Sequence, residues 1–196
     1  FQLKVNPEFC EALLDRGLAI QLAMAEATLE AAGDAADILY LADDYGMQTG
    51  PLISPQLFRQ IFKPRMARLI QFLRQRSRAR IAFHSCGSVY AFIPDFIDVG
   101  VEILNPVQVS AADMDTSRLR REFGHRLAFW GGVDSQHVLP HGTPAEVRAE
   151  VARRAQDLGP GFIPYSVHNI QADVPPENVV AMLDAVQEGP QIDFYR

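Results

Sequence analysis

Only two cysteines occur in 196 residues, Cys10 and Cys86, and they stand far apart in the chain. That scarcity excludes a disulfide framework and makes a reducing cytoplasm the expected setting. No apolar run approaches the roughly 20 residues needed to cross a bilayer, so no membrane segment is expected. Positive charge is also in short supply, with 18 Lys and Arg against 24 Asp and Glu for a net charge of −6. A nucleic-acid groove needs clustered cations. The densest basic run, Arg74 to Arg80, falls at an expected helix end, where cations complement the dipole and face water. The opening Phe1-Gln2-Leu3-Lys4 passes directly into a helix and carries no signal-peptide pattern. A start without Met fits a chain that begins partway through something larger. At 48% hydrophobic and 21% charged, the composition is that of a soluble globular protein with one sizeable core.

Helix and strand signals alternate along the chain. Asn6-Pro7-Glu8 reads as N-cap, first-turn proline and acidic first turn, opening a helix that Gly33 ends. Residues 37–42 form a short apolar run, expected as a buried strand. Ser54-Pro55 starts a second long helix, which Pro64 should bend or break. Further strands are expected at 80–83, 101–104, 127–130 and 161–166. Helices are expected at 88–99, stopped by Gly100, at 115–123, from the capping box Thr143-Pro144-Ala145-Glu146 to Gly159, and at 175–186. That makes five strands and six helices.

Apolar strands alternating with amphipathic helices mean a parallel sheet covered by helices. No glycine-rich phosphate fingerprint follows the first strand, so a dinucleotide-binding open sheet lacks support. Ligand-type residues instead follow nearly every strand, as on the active face of a (β/α)8 barrel. The expected fold class is therefore α/β, a (β/α)8 TIM barrel of which residues 1–196 supply about the last five strands.

Side chains two apart in extended backbone share a side. His84 and Cys86, in His84-Ser85-Cys86-Gly87, therefore have the spacing to converge on one ion, and both are zinc-type donors. An isolated His-x-Cys also arises by chance, and a buried Cys is often a small hydrophobe. His168, just past the last strand, is the third candidate ligand. Three protein ligands with an open fourth position make a catalytic zinc site. His168 alternatively suits acid–base chemistry, or it caps a helix beside Asn169. Asp43 and Asp44 end the first strand, where carboxylates suit proton transfer, substrate orientation or an ordinary turn. Asn105, Gln108 and Asp134 occupy equivalent strand-end positions suited to polar substrate recognition. Tyr45 offers an aromatic wall with a hydroxyl, or packing. His125, His137 and His141 are expected in solvent, and Cys10 in packing.

These stretches, taken in order, carry a likeness. Asp43-Asp44-Tyr45-Gly46, Ser54-Pro55-Gln56-Leu57-Phe58, His84-Ser85-Cys86-Gly87, Ile103 to Gln108, Gly131-Gly132-Val133-Asp134 and His168 to Asn178 resemble the uroporphyrinogen decarboxylase superfamily. The resemblance implies the final five strands of that family's barrel. One branch decarboxylates a tetrapyrrole without metal; its late histidine matches His168, and its arginine-rich segment and early Asp are not in this chain. The other branch holds cobamide-dependent methyltransferases, which this chain resembles at His84 and Cys86, two of their zinc ligands. Their third ligand is usually a Cys, where this chain has His168. The resemblance therefore implies a zinc-assisted methyltransferase acting on a small molecule, with the corrinoid carried by a partner protein. A metal-free decarboxylase is the alternative. A barrel piece that binds ligand without turnover is the third reading.

Overall fold

The computed structural model describes residues 2–189. Phe1 and residues 190–196, the ends of the barrel portion expected above, lie outside the described residues. α1 (Gln2–Val5) and α2 (Pro7–Ala32) lead into β1 (Ile38–Ala42). A small antiparallel hairpin follows, β2 (Gly46–Met47) with β3 (Gly50–Pro51). The next helical stretch joins α3 (Pro55–Leu57), a π turn at Phe58–Phe62 and α4 (Lys63–Arg74). Then come β4 (Arg80–His84), α5 (Ile93–Val99), β5 (Ile103–Asn105), α6 (Thr116–Phe123) and β6 (Ala128–Trp130). The described chain closes with α7 (Val138–His141), α8 (Pro144–Leu158), β7 (Phe162–Ile163) and α9 (Pro176–Glu188).

Strands β1, β4, β5, β6 and β7 form one parallel sheet in that order. Each of these lies beside the preceding one, so the winding never reverses. A doubly wound sheet must reverse at a switch point. Successive addition is instead how a (β/α)8 barrel grows.

Local chemistry explains the helix ends. The Thr143 hydroxyl accepts from Glu146 N–H while the Glu146 carboxylate accepts from Thr143 N–H, completing the capping box that starts α8. Gly100 is left-handed at φ 104° and stops α5. Asn6 stands before α2, but its side chain makes no capping bond. Pro64 has no N–H, so an α-helix would orphan the carbonyl four residues earlier. The backbone widens here: Lys63 N–H reaches Phe58 O across the π turn, and the Arg65 guanidinium donates to Ile61 O at 2.6 Å.

One face of the sheet, carrying Ile81, Phe83, Leu104, Phe129 and Phe162, is buried in the main apolar cluster beneath the helices. A second cluster gathers Val133, Leu139, Val147, Val151, Val174, Ala181 and Met182. The strand at residues 37–42 departs from expectation. Instead of being buried it is the edge of the sheet, with Ile38 and Tyr40 exposed. Among the described residues it pairs with β4 alone.

A charged tie holds the π turn to α5. Asp95, 5% exposed, accepts two bonds from Arg59 Nε, at 3.0 and 2.9 Å, and one from Lys63 Nζ at 3.0 Å. Burial alone would raise its pKa, but the bonds from Arg59 and Lys63 outweigh it and hold the carboxyl below its ordinary value. A depressed folded-state pKa contributes stability above the unfolded value of about 3.9, and that contribution fades as pH falls through the folded value. Asp95→Asn is expected to cost about 1–3 kcal/mol at pH 7. In urea unfolding the gap from the parent should narrow steadily below about pH 4.

Candidate metal centre

The sheet's inner face assembles the site. His84 ends β4 and Cys86 follows two residues later, with Sγ 3.3 Å from His84 Nε2. His168 arrives from the loop after β7. Strands β4 and β7 have two others between them, a span of about 14 Å at normal spacing. Yet the His84 and His168 rings lie 6.1 Å apart, centre to centre. Tyr40 of β1 and Trp130 of β6, equally separated in the sheet, sit at 5.6 Å. Inward side chains from a curved sheet converge in this way. One donor atom from each of His84, Cys86 and His168 lies within 4.8 Å of the other two, His168 being exposed and the others half-buried.

The far side of the His84 ring is held. Nδ1 lies 2.7 Å from both the Tyr40 hydroxyl and Asn105 Oδ1, and that hydroxyl is 2.8 Å from the same Oδ1. Asn105 Nδ2 donates to Trp130 O at 3.3 Å.

The turn carrying Cys86 is fixed by backbone. Asp44 Oδ1 accepts from Cys86 N–H at 2.8 Å and lies 3.9 Å from His84 Nε2. Burial first, and then the Asp44 carboxylate, push the Cys86 thiol up to about 11. Without a metal it is therefore protonated at neutral pH. Gly87, at φ 83°, packs its backbone on that of Gly46; a Cβ at either would lie 2.5 Å from a backbone atom of the other turn.

The remaining candidates are distributed differently. Asp43 accepts from the Tyr45 hydroxyl at 2.7 Å. Tyr45 itself is buried, packed against Phe58, Phe62, Phe83, Phe92 and Phe96. Of the two roles expected of Tyr45, the substrate-facing wall is corrected to packing: five aromatic neighbours draw the ring into the core. Burial, Asp43's charge and their hydrogen bond raise its pKa far above the usual phenol value. Gln108, expected in polar substrate recognition, is buried with both ends of its amide engaged. Its Oε1 accepts from Gly87 N–H at 2.7 Å and its Nε2 donates to Gln48 at 2.9 Å, tying the hairpin to the Cys86 turn. Asp134 caps its own turn, accepting from the N–H groups of Gln136 and His137 and contacting the His137 ring at 3.0 Å. Asn105 faces the mouth but is engaged by His84. His125, His137 and His141 are exposed, and Cys10 is buried.

Sequence reasoning missed Tyr40, Trp130 and the Gln48–Gln108 bridge. The sequence held one signal for Tyr40: it stands two residues before Ala42 and so shares a face with that strand end.

Residues 2–189 match the family described as Uroporphyrinogen decarboxylase (URO-D). The chain belongs to this family. A uroporphyrinogen decarboxylase of Coxiella burnetii is 24% identical over 97% of this chain and 52% of its own length. The methylcobamide:CoM methyltransferase MtaA of Methanosarcina barkeri is 27% identical over 91% of this chain and 48% of its own. A solved methyltransferase from Methanosarcina mazei superposes with a TM-score of 0.72 at 25% identity, covering 94% of this chain and 50% of that one. The chain thus spans about half the length of the relatives it matches. Its five parallel strands are part of a URO-D-type barrel. No helix among the described residues is long and apolar enough to cross a membrane.

The donor set fits zinc. Bonds of about 2.0–2.3 Å in tetrahedral array separate ligand atoms by about 3.3–3.8 Å. The His84–Cys86 separation of 3.3 Å meets this directly. His168 brings the third donor atom to within 4.8 Å of the other two, and its exposed loop would close by up to about an ångström to reach that spacing. A held Nδ1 is also the usual support of a metal-binding imidazole.

Proposed function

We propose that this chain carries the metal centre of a zinc-assisted methyltransferase, moving a methyl group between a small substrate or thiol and a corrinoid cofactor on a partner protein. The observation that carries the proposal is the convergence of His84, Cys86 and His168 at the mouth, three donors that would leave a tetrahedral ion one further ligand to take. The likeness to the two Methanosarcina methyltransferases supports it. Zinc, when bound, supplies the Lewis acidity that keeps a thiol ionised and nucleophilic at neutral pH. The chain's own residues hold that site. Asn105 and Tyr40 fix the His84 ring, Asp44 grips the backbone of Cys86, and the inner strand ends leave the mouth open for a ligand.

A second reading is favoured by one observation, the match to the Coxiella decarboxylase along nearly the whole chain. There His168, with Asp43 or Asp44, would deliver the proton that replaces a departing carboxyl group. The natural full-length protein should be analysed for zinc and incubated with methylcobalamin and 2-mercaptoethanesulfonate. One zinc per chain with thiol methylation supports the first reading. A metal-free protein that decarboxylates uroporphyrinogen sinks it.

A further inference from the structure

We infer that Tyr40 is a positioning residue of this centre, which together with Asn105 decides which nitrogen of His84 faces the mouth. Its consequence for metal binding rests on the zinc reading above; its geometry does not.

The β1–β4 register pairs Tyr40 with Ala82 and Ala42 with His84. Strand alternation then places all four on the inner face. Around Nδ1 stand two oxygens, the Tyr40 phenol and Asn105 Oδ1, each at 2.7 Å and 2.8 Å from one another. One proton arrangement satisfies all three contacts. Asn105 Nδ2 is committed to Trp130 O, so Oδ1 is the atom turned to the imidazole, and a carbonyl oxygen only accepts. Tyr40 gives its single O–H to that oxygen. Nδ1 must then carry the ring proton, shared between Oδ1 and the phenol oxygen. A bare Nδ1 would meet Oδ1 lone pair to lone pair at 2.7 Å. The Nε2 lone pair is thereby directed at Cys86 Sγ and the mouth.

Tyr40 is 49% exposed, belongs to neither apolar cluster, and touches Trp130 edge-on at an interplanar angle of 70°. Removing its hydroxyl should leave the fold intact; Asn105 Oδ1 then loses the proton that marks it as the acceptor, and the amide, held by a single 3.3 Å bond to Trp130 O, can turn Nδ2 to the imidazole and admit the other tautomer.

The test uses the natural full-length protein, histidine-labelled with nitrogen-15 and stripped of metal. In the parent, His84 should show a protonated Nδ1 and a bare Nε2. Tyr40→Phe should give a tautomer mixture with an unchanged melting temperature. Zinc affinity by chelator competition should fall about 10–100-fold, the usual cost of removing a partner behind a metal ligand. Tyr165→Phe, which alters an equally exposed tyrosine at 48%, should change neither reading. An unaltered tautomer together with zinc affinity within twofold of the parent overturns the inference. If the parent binds no zinc, the zinc reading fails, and the nitrogen-15 spectrum alone decides for or against Tyr40.

Discussion

Replacing Cys86 with serine is expected to leave the protein without zinc, lowering its affinity by more than about 100-fold. Partners behind the ligands typically carry 10–100-fold each, and Cys86 is the only sulfur donor in the set. A serine hydroxyl does not ionise to replace it at neutral pH. Metal analysis of the purified variant, with the melting temperature as a control for folding, checks the result; full zinc occupancy in the variant would refute the ligand assignment. The raised thiol pKa adds a signature. The free thiol is protonated and the ligand must be thiolate, so zinc binding should expel about one proton, visible as buffer-dependent heat in calorimetry. His168→Cys, which restores the residue usual in the methyltransferase branch, should keep the metal.

Gly87→Ala is expected to destabilise the protein by about 2–5 kcal/mol and to disturb the metal centre as well. Two costs combine: a left-handed φ of 83° that alanine tolerates poorly, and overlap at 2.5 Å with the backbone carbon of Gly46. No flexible side chain is there to swing aside; the three nearest atoms are all backbone of Gly46 and Met47. Relief would require the hairpin and the Cys86 turn to part, carrying Sγ away from His84. Gly17→Ala makes the contrast. It lies inside α2 with nothing within 4 Å, so a methyl there should stabilise by about 0.5–1 kcal/mol. Urea unfolding of the two variants should move in opposite directions.

The alternation of apolar strands and amphipathic helices was readable because each element carries its own period. So were the capping box at Thr143, the stop at Gly100 and the disturbance at Pro64, each a property of a few adjacent residues. The two-residue spacing of His84 and Cys86 also belonged to one strand, and it translated directly into a 3.3 Å contact. What escaped depends on partners distant in the chain. The β2–β3 hairpin is two residues wide on each side, too short to show alternation, and it is held by Gln108 from 60 residues away. Tyr45, placed after a strand, left a mouth wall and packing equally open, because the five phenylalanines that bury it come from later segments.

The division of the apolar interior into two clusters gives the His84–Cys86–His168 arrangement a mechanical meaning. His84 and Cys86 stand on the main cluster, beside Phe83 and Val89. His168 lies on the loop running from Phe162 to Val174, from the first cluster to the second. A zinc ion held by all three residues would act as a rivet across that seam. Chelation would then loosen the α7–α9 quarter first, and amide exchange there would quicken before the central strands respond.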